Sequence, residues 1–227
     1  MLRLAALVVA SLAVLAAPAQ AQDIATISVE VAQDVAPSDA GAERFVARPG
    51  LDVALQGIAS YGPFRVLDGR RAALVDQTDT TTPRDFARML IAYPGLRTIE
   101  MIDCPGTSDD TANLRLGRMI RRAGLETHVP EGGSVRSGAV ELFLAGKRRT
   151  AETDAEFAVH SWQDSDGLEP SDVAADDPVH LAYLAYYREM GMSEAQARAF
   201  YAMTNSAPHD GALWLTEREF ASYVPLD

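Results

Sequence analysis

The chain has 227 residues and a formal charge of −12, with 20 basic side chains against 32 acidic ones. That balance opposes non-specific nucleic-acid binding, and no basic stripe with interleaved aromatics offsets it. A single cysteine, Cys104, excludes an internal disulfide, so packing must hold the fold together.

In chain order, MLRLAALVVASLAVLAAPAQA combines Arg3, a short apolar run and an Ala-Gln-Ala site ending at Ala21. This predicts a secretory leader over residues 1–21, cleaved after Ala21, and an exported chain with no membrane anchor once the leader is removed. Residues 22–50 read as an N-terminal extension or linker, with a strand-like DIATISVEVA and a turn-rich AQDVAPSDAGAER. The main domain is expected over 51–227.

From residue 70 onward, strands and helices alternate. RRAALVDQ reads as a strand. TTTPRDFARMLIAYPG reads as a helix with Thr82 as N-cap, Pro83 at the first position and Phe86, Met89, Leu90 and Tyr93 on its apolar face. TIEMID is a strand, CPGTSDD a turn, and TANLRLGRMIRRAG a helix that faces Leu114, Met119 and Ile120 inward and ends at Gly124. LETHVP is a third strand; the glycine-rich stretch, RRTAE and the strand-like EFAVH follow. Cys104, beside the apolar TIEMID run, is expected to be a buried, inert thiol.

Residues 163–178 are acidic and turn-rich and read as a surface loop or lid. Two helices follow, PVHLAYLAYYREMG and SEAQARAFYAMTN, the second opened by a capping box from Ser193 and Gln196. Tyr183, Tyr186, Tyr187, Phe200 and Tyr201 form an aromatic set expected in the core or at a subunit contact. GALWLTEREFASYVPLD closes the chain as a strand and a short helix. This order predicts an α/β fold with repeated β-α units, a mostly parallel sheet and C-terminal helices. Ligands of such folds gather at the carboxyl ends of the strands. Here those ends are CPGTSDD, PEGGSVRS and HSWQ.

The stretch GGSVRSGAVELFLAG places Ser137 after a glycine turn and at the expected start of a helix ending at Gly146. Helix starts present unpaired N–H groups, so the N–H of Gly138 is a candidate oxyanion donor and that of Thr107 a second. Serine needs a neighbouring base to act as a nucleophile. Of the four histidines, His160 ends a strand on the predicted active edge and is the best placed. An orienting carboxylate completes such a site. Asp210 is the preferred candidate; Asp164 and Asp166 are nearer His160 in sequence but sit in the loop.

These segments resemble the nucleophile, histidine and acid segments of the ClpP-like serine peptidases. Gly133 and Gly146 fit that family's glycines four residues before and nine after the serine. IDCPGTSDD resembles its strand-end Asn-Ser-Pro-Gly-Gly segment, EFAVHSW its histidine strand, and HDGALWLTEREFASY its later aspartate segment. The resemblance spans roughly residues 65–225 and is nearest to exported, periplasmic members from Gram-negative bacteria. It implies a ClpP/crotonase-like fold, a Ser137–His160–Asp210 triad and a homo-oligomer, with peptides or unfolded segments as the expected substrates; no cofactor is expected. Two positions depart from it. Thr107 stands where the family has its second glycine. Arg136 replaces a small residue before the nucleophile and is a candidate contact for a substrate carboxylate.

Other readings use the same residues. One is a catalytically inactive module that binds a peptide or a partner protein, since fold does not fix function. A serine–lysine peptidase would need Lys147, the chain's one lysine, which a nine-residue helix of about 13 Å sets at the wrong end. A crotonase-type enzyme would need coenzyme A outside the cytoplasm. Acyl-enzyme chemistry serves esters as well as amides. No H-E-x-x-H metal motif occurs.

Overall fold

The computed structural model describes residues 57–227 and, as backbone, the strand Arg44–Phe45. The chain divides into two units, Met1–Ala36 and Pro37–Asp227, and all described residues belong to the second. The leader and the strand expected in DIATISVEVA lie outside the described residues.

The first strand is β1 (Arg44–Phe45). A hairpin of β2 (Ala59–Tyr61) and β3 (Phe64–Val66) follows, turning at Gly62, whose φ of 54° favours glycine. Next come β4 (Arg71–Leu74) and α1 (Thr82–Ala92). Asp79 holds the start of α1 by accepting from the N–H and hydroxyl groups of Thr81 and Thr82, each at 2.9 Å. The cap therefore comes from Asp79 rather than from Thr82, because a carboxylate can take several donors at once. Burial works to raise the Asp79 pKa, and the Thr81 and Thr82 hydrogen bonds outweigh it and hold the carboxyl below its ordinary range. β5 (Thr98–Met101), β6 (Asp103–Cys104) and β7 (Gly106–Thr107) then lead into α2 (Asp110–Ala123). Asp109 caps α2 by accepting from Ala112 N–H at 2.8 Å, and Gly124 ends it in the left-handed region.

Beyond α2 the order is β8 (Glu126–Val129), β9 (Ser134–Arg136), α3 (Ala139–Leu144), β10 (Arg149–Ala151) and β11 (Glu156–Val159). The C-terminal part adds α4 (Pro178–Glu189), α5 (Glu194–Thr204), β12 (Leu213–Thr216) and α6 (Glu217–Ala221). The capping box at Ser193 and Gln196 is present.

Two main sheets result. The larger runs β10-β8-β5-β4-β3-β2, parallel from β10 to β4 and antiparallel across the hairpin. The smaller runs β12-β11-β9-β6, parallel except for its edge strand β12. The fold is therefore α/β with mostly parallel pairing. The repeat differs from the expected single strand per helix. Each of three successive units sends one strand to each sheet: β5 with β6, β8 with β9, and β10 with β11. Parallel neighbours need such crossovers, and the helices supply the return.

The core lies between these layers. Phe143 of α3, Phe157 of β11 and Phe220 of α6 are fully buried. Phe157 and Phe220 stack with centroids 4.0 Å apart. Each such ring contributes about 1.5–3 kcal/mol by leaving water, so β11 and α3 are fixed from below. Tyr183, Tyr186, Tyr187 and Phe200 are buried within the chain. Tyr183 donates to Asp110, Tyr186 to the Glu141 carbonyl at 2.5 Å and Tyr187 to the Glu141 carboxylate at 2.7 Å, tying α4 to α2 and α3. Gly117 of α2 makes room for this: a β-carbon there would lie 1.9 Å from the Tyr186 hydroxyl. Cys104 is buried, and burial pushes its thiol far above the ordinary range, which suits an inert side chain.

Candidate active site

β11, β9 and β6 lie side by side and run parallel, in the register Ala158 with Arg136 and Cys104 with Val135. Their carboxyl ends therefore come out together. His160 follows β11, Ser137 follows β9, and Pro105-Gly106-Thr107 follows β6. Strand adjacency is what brings two residues 23 positions apart into contact. The Ser137 Oγ lies 2.6 Å from His160 Nε2, and both residues are fully buried.

The backbone at Ser137 is specialised. Its N–H donates to Ala158 O at 2.7 Å, continuing the β9–β11 ladder. Its carbonyl accepts from Val140 N–H at 3.0 Å, already the start of a helical turn. The residue that joins strand to helix within one step takes a φ of 54°, and among the described residues it is the non-glycine residue with positive φ. Serine in this region costs energy, and such strain gathers at functional sites. The glycine turn before Ser137 and the apolar run up to Gly146 predict Ser137 in the first turn of a longer helix. The structure instead runs β9 up to Arg136 and starts α3 at Ala139, so Ser137 forms a sharp strand-to-helix corner.

Thr107 stands on the other side. A β-carbon on Gly138 would lie 2.6 Å from Thr107 Cγ2, so β7 packs directly on the residue after the serine. Thr107 keeps ordinary strand geometry, and the glycine freedom of this segment is used at Gly106, with φ 131°. Threonine in the place of a second glycine therefore brings no strain of its own here. Its hydroxyl, with one proton to give, has Thr78 O at 3.2 Å and Asp109 O at 3.1 Å within reach and accepts from Asp109 N–H at 3.1 Å.

Asn113, which the sequence reading did not single out, holds the same corner. Its Nδ2 donates to Gly138 O at 2.6 Å, and its Oδ1 accepts from the Thr78 hydroxyl at 3.0 Å. It is 1% exposed. This fixes the Gly138–Ala139 peptide unit, at the entry to α3, from the α2 side.

The residues after His160 are anchored too. Ser161 N–H and hydroxyl both donate to Ala207 O, at 2.9 and 3.0 Å, and Trp162 Nε1 donates to Tyr201 Oη at 2.8 Å. The ring against His160 is that of His209, edge to face at 5.0 Å between centroids. His209 Nδ1 lies 3.2 Å from Ser161 O, so that nitrogen must carry the proton, since a carbonyl only accepts. Asp210, the expected orienter, follows His209 directly and is exposed. The 163–178 segment reaches this corner as well, through Glu169, which accepts from His209 N–H at 3.2 Å.

Arg136 is turned inward instead of toward a substrate. It is 2% exposed, with its guanidinium 2.6 Å from Asp103 and donating to Ser134 Oγ at 2.8 Å. With Arg136 buried and Asp103 half-buried, this pair is a structural tie between β6 and β9; removing Asp103 would leave a buried charge without it, a loss that typically costs about 3–5 kcal/mol when the pair is fully buried. Lys147 is exposed beyond the end of α3. His128 meets Thr150 Oγ1 at 2.8 Å, and His180 meets Tyr201 Oη at 2.8 Å. Among the described residues, no group of three His, Cys, Asp or Glu side chains is placed to hold a metal ion. Among the same residues, no helix is long and apolar enough to cross a membrane.

No protein-family profile matches the sequence, and no curated protein matches it. Among solved structures, the chain is similar to the 1510-N membrane-bound stomatin-specific protease, a variant in complex with a substrate peptide. Identity there is 16%, over 70% of this chain and 74% of that one, with a TM-score of 0.44. It is also similar to a ClpP1 variant from Listeria monocytogenes, with 16% identity, 69% and 88% coverage and a TM-score of 0.45. A third is the ClpP protease catalytic domain from Plasmodium falciparum, with 14% identity, 68% and 81% coverage and a TM-score of 0.46.

Proposed function

We propose that this protein is a serine hydrolase, most simply a peptidase acting on peptides or unfolded segments, with Ser137 as nucleophile and His160 as general base. The observation that carries the reading is the 2.6 Å approach of Ser137 Oγ to His160 Nε2 at a strained corner. A serine hydroxyl needs a base at this distance to become nucleophilic.

In the acylation step, Oγ attacks the substrate carbonyl carbon and its proton passes to His160 Nε2. The carbonyl electron pair moves onto oxygen, where the N–H groups of Thr107 and Gly138 are the donors in this reading. Collapse of that intermediate breaks the C–N bond, and His160 returns the proton to the leaving amine. Water repeats the sequence against the acyl-enzyme, again with His160 as base. The orienter of His160 is assigned to the His209–Asp210 segment: His209 packs on the imidazole and Asp210 follows it. No cofactor or metal enters any step.

The reading extends to setting and assembly. The leader-like residues 1–21 support export to a periplasm, and the resemblance noted in the sequence supports a homo-oligomer. A second reading, a non-catalytic peptide-binding module, draws on the complete burial of both Ser137 and His160. The two separate in one assay. With a mixed library of unstructured peptides, the purified chain is expected to generate new peptide ends. Ser137→Ala, shown to be folded, is expected to generate none. Cleavage that survives Ser137→Ala would assign the activity to other groups, and binding without cleavage by the unaltered chain would favour the module.

A further inference from the structure

The candidate oxyanion donor already has a neighbour. β1 pairs antiparallel with β7, in the register Arg44 with Thr107 and Phe45 with Gly106. On its other side β7 meets Thr78: Thr78 N–H donates to Gly106 O at 3.0 Å, and Ser108 N–H donates to Thr78 O at 2.9 Å. The peptide units on either side of Thr107 are planar, and N–H and C=O point opposite ways in each. With Gly106 O and Ser108 N–H turned to Thr78, the N–H and C=O of Thr107 itself must face β1. Residues opposed in this way in an antiparallel pair exchange both hydrogen bonds. The register thus sets the Arg44 carbonyl on the Thr107 N–H.

We propose that the chain is self-inhibited: its own Arg44–Phe45 strand occupies the edge on which a peptide substrate would pair, and it holds the Thr107 N–H that the reaction needs. The inference rests on the serine-hydrolase reading above. One N–H cannot serve the Arg44 carbonyl and a tetrahedral oxyanion at the same time, so β1 must leave or be displaced before the site works. An incoming extended peptide would compete for the same backbone groups, since strand addition relies on main-chain hydrogen bonds. The complete burial of Ser137 and His160 in this arrangement is consistent with a closed site.

The register supplies its own control. Arg44 faces β7 with both its backbone groups; the N–H of Phe45 shares a peptide plane with the Arg44 carbonyl and points the opposite way, away from β7. Proline removes a backbone donor. Arg44→Pro should therefore unseat the strand, while Phe45→Pro should not. In the full chain, labelling of Ser137 by a fluorophosphonate is expected to be about tenfold faster in Arg44→Pro than in the unaltered chain and unchanged in Phe45→Pro, as follows from losing about one net backbone hydrogen bond. Amide hydrogen exchange reads the same strand without any chemistry. Thr107 is expected to be protected in the unaltered chain and in Phe45→Pro and to exchange faster in Arg44→Pro. Equal labelling of all three would overturn the proposal and leave the hydrolase reading standing, as would fast Thr107 exchange in the unaltered chain. Failure of all three to label, with Thr107 protected, would remove the hydrolase reading and self-inhibition with it.

Discussion

His160→Ala is expected to reduce peptide turnover by about 10^4-fold while leaving the chain folded, because the base is then gone and only binding and the oxyanion donors remain. The size of the effect follows from the geometry. Ser137 Oγ has His160 Nε2 at 2.6 Å, and the serine is fully buried, where bulk water cannot take over proton removal. Circular dichroism and the unfolding midpoint separate this from collapse. His160 ends a strand whose own ladder, from Glu156 to Val159, does not depend on the imidazole. A fall of less than about tenfold in turnover would mean that His160 is not the base.

Asn113→Ala is the second large effect, and it acts at a distance from the reacting atoms. Asn113 is a positioning residue: it fixes the carbonyl of Gly138, in the peptide unit to Ala139, and so anchors the residue whose N–H, one unit earlier, serves the oxyanion in this reading. Loss of the amide frees the Gly138–Ala139 peptide, and with it the position of Gly138, to shift, and a displacement of about 1 Å in such a site can cost about 10^2-fold in rate. The expected result is a kcat lower by about that factor with KM nearly unchanged, since the donor acts on charge that develops only in the transition state. A purely structural role would lower the amount of folded protein and leave the kcat of the folded fraction intact. Stability should fall as well, by about 1–3 kcal/mol, because Gly138 O and the Thr78 hydroxyl both lose a buried partner.

The pairing of Ser137 with His160 could be anticipated because His160 ends the apolar run EFAV, Ser137 follows a glycine turn at a helix start, and strand ends of a parallel sheet collect on one edge. The doubled strand in each repeat was harder to see. β9 is three residues long and contains a buried arginine, so it shows neither the alternation nor the composition of a strand. Charged side chains are usually exposed, and an arginine beside a candidate nucleophile suggests a substrate contact. What buries it is Asp103, 33 positions earlier, a partner no local pattern reveals. Asn113 has the same difficulty. Within its helix it looks like one more polar position, and its function is set by Gly138 and Thr78, 25 and 35 positions away. The carboxylate expected at Asp210 rested on one sequence position. The structure brings the neighbouring His209 ring to His160 and leaves Asp210 exposed, a difference of one residue in a turn where spacing gives no register.

The most direct test of the account is covalent. Incubation of the folded chain with a fluorophosphonate, followed by intact mass and peptide mapping, is predicted to show one adduct on Ser137. The adduct should be absent from Ser137→Ala and slowed by orders of magnitude in His160→Ala. An adduct on any other serine, or none on a chain shown to be folded and in its native assembly even after Arg44→Pro, would contradict the claim that Ser137 is an activated nucleophile.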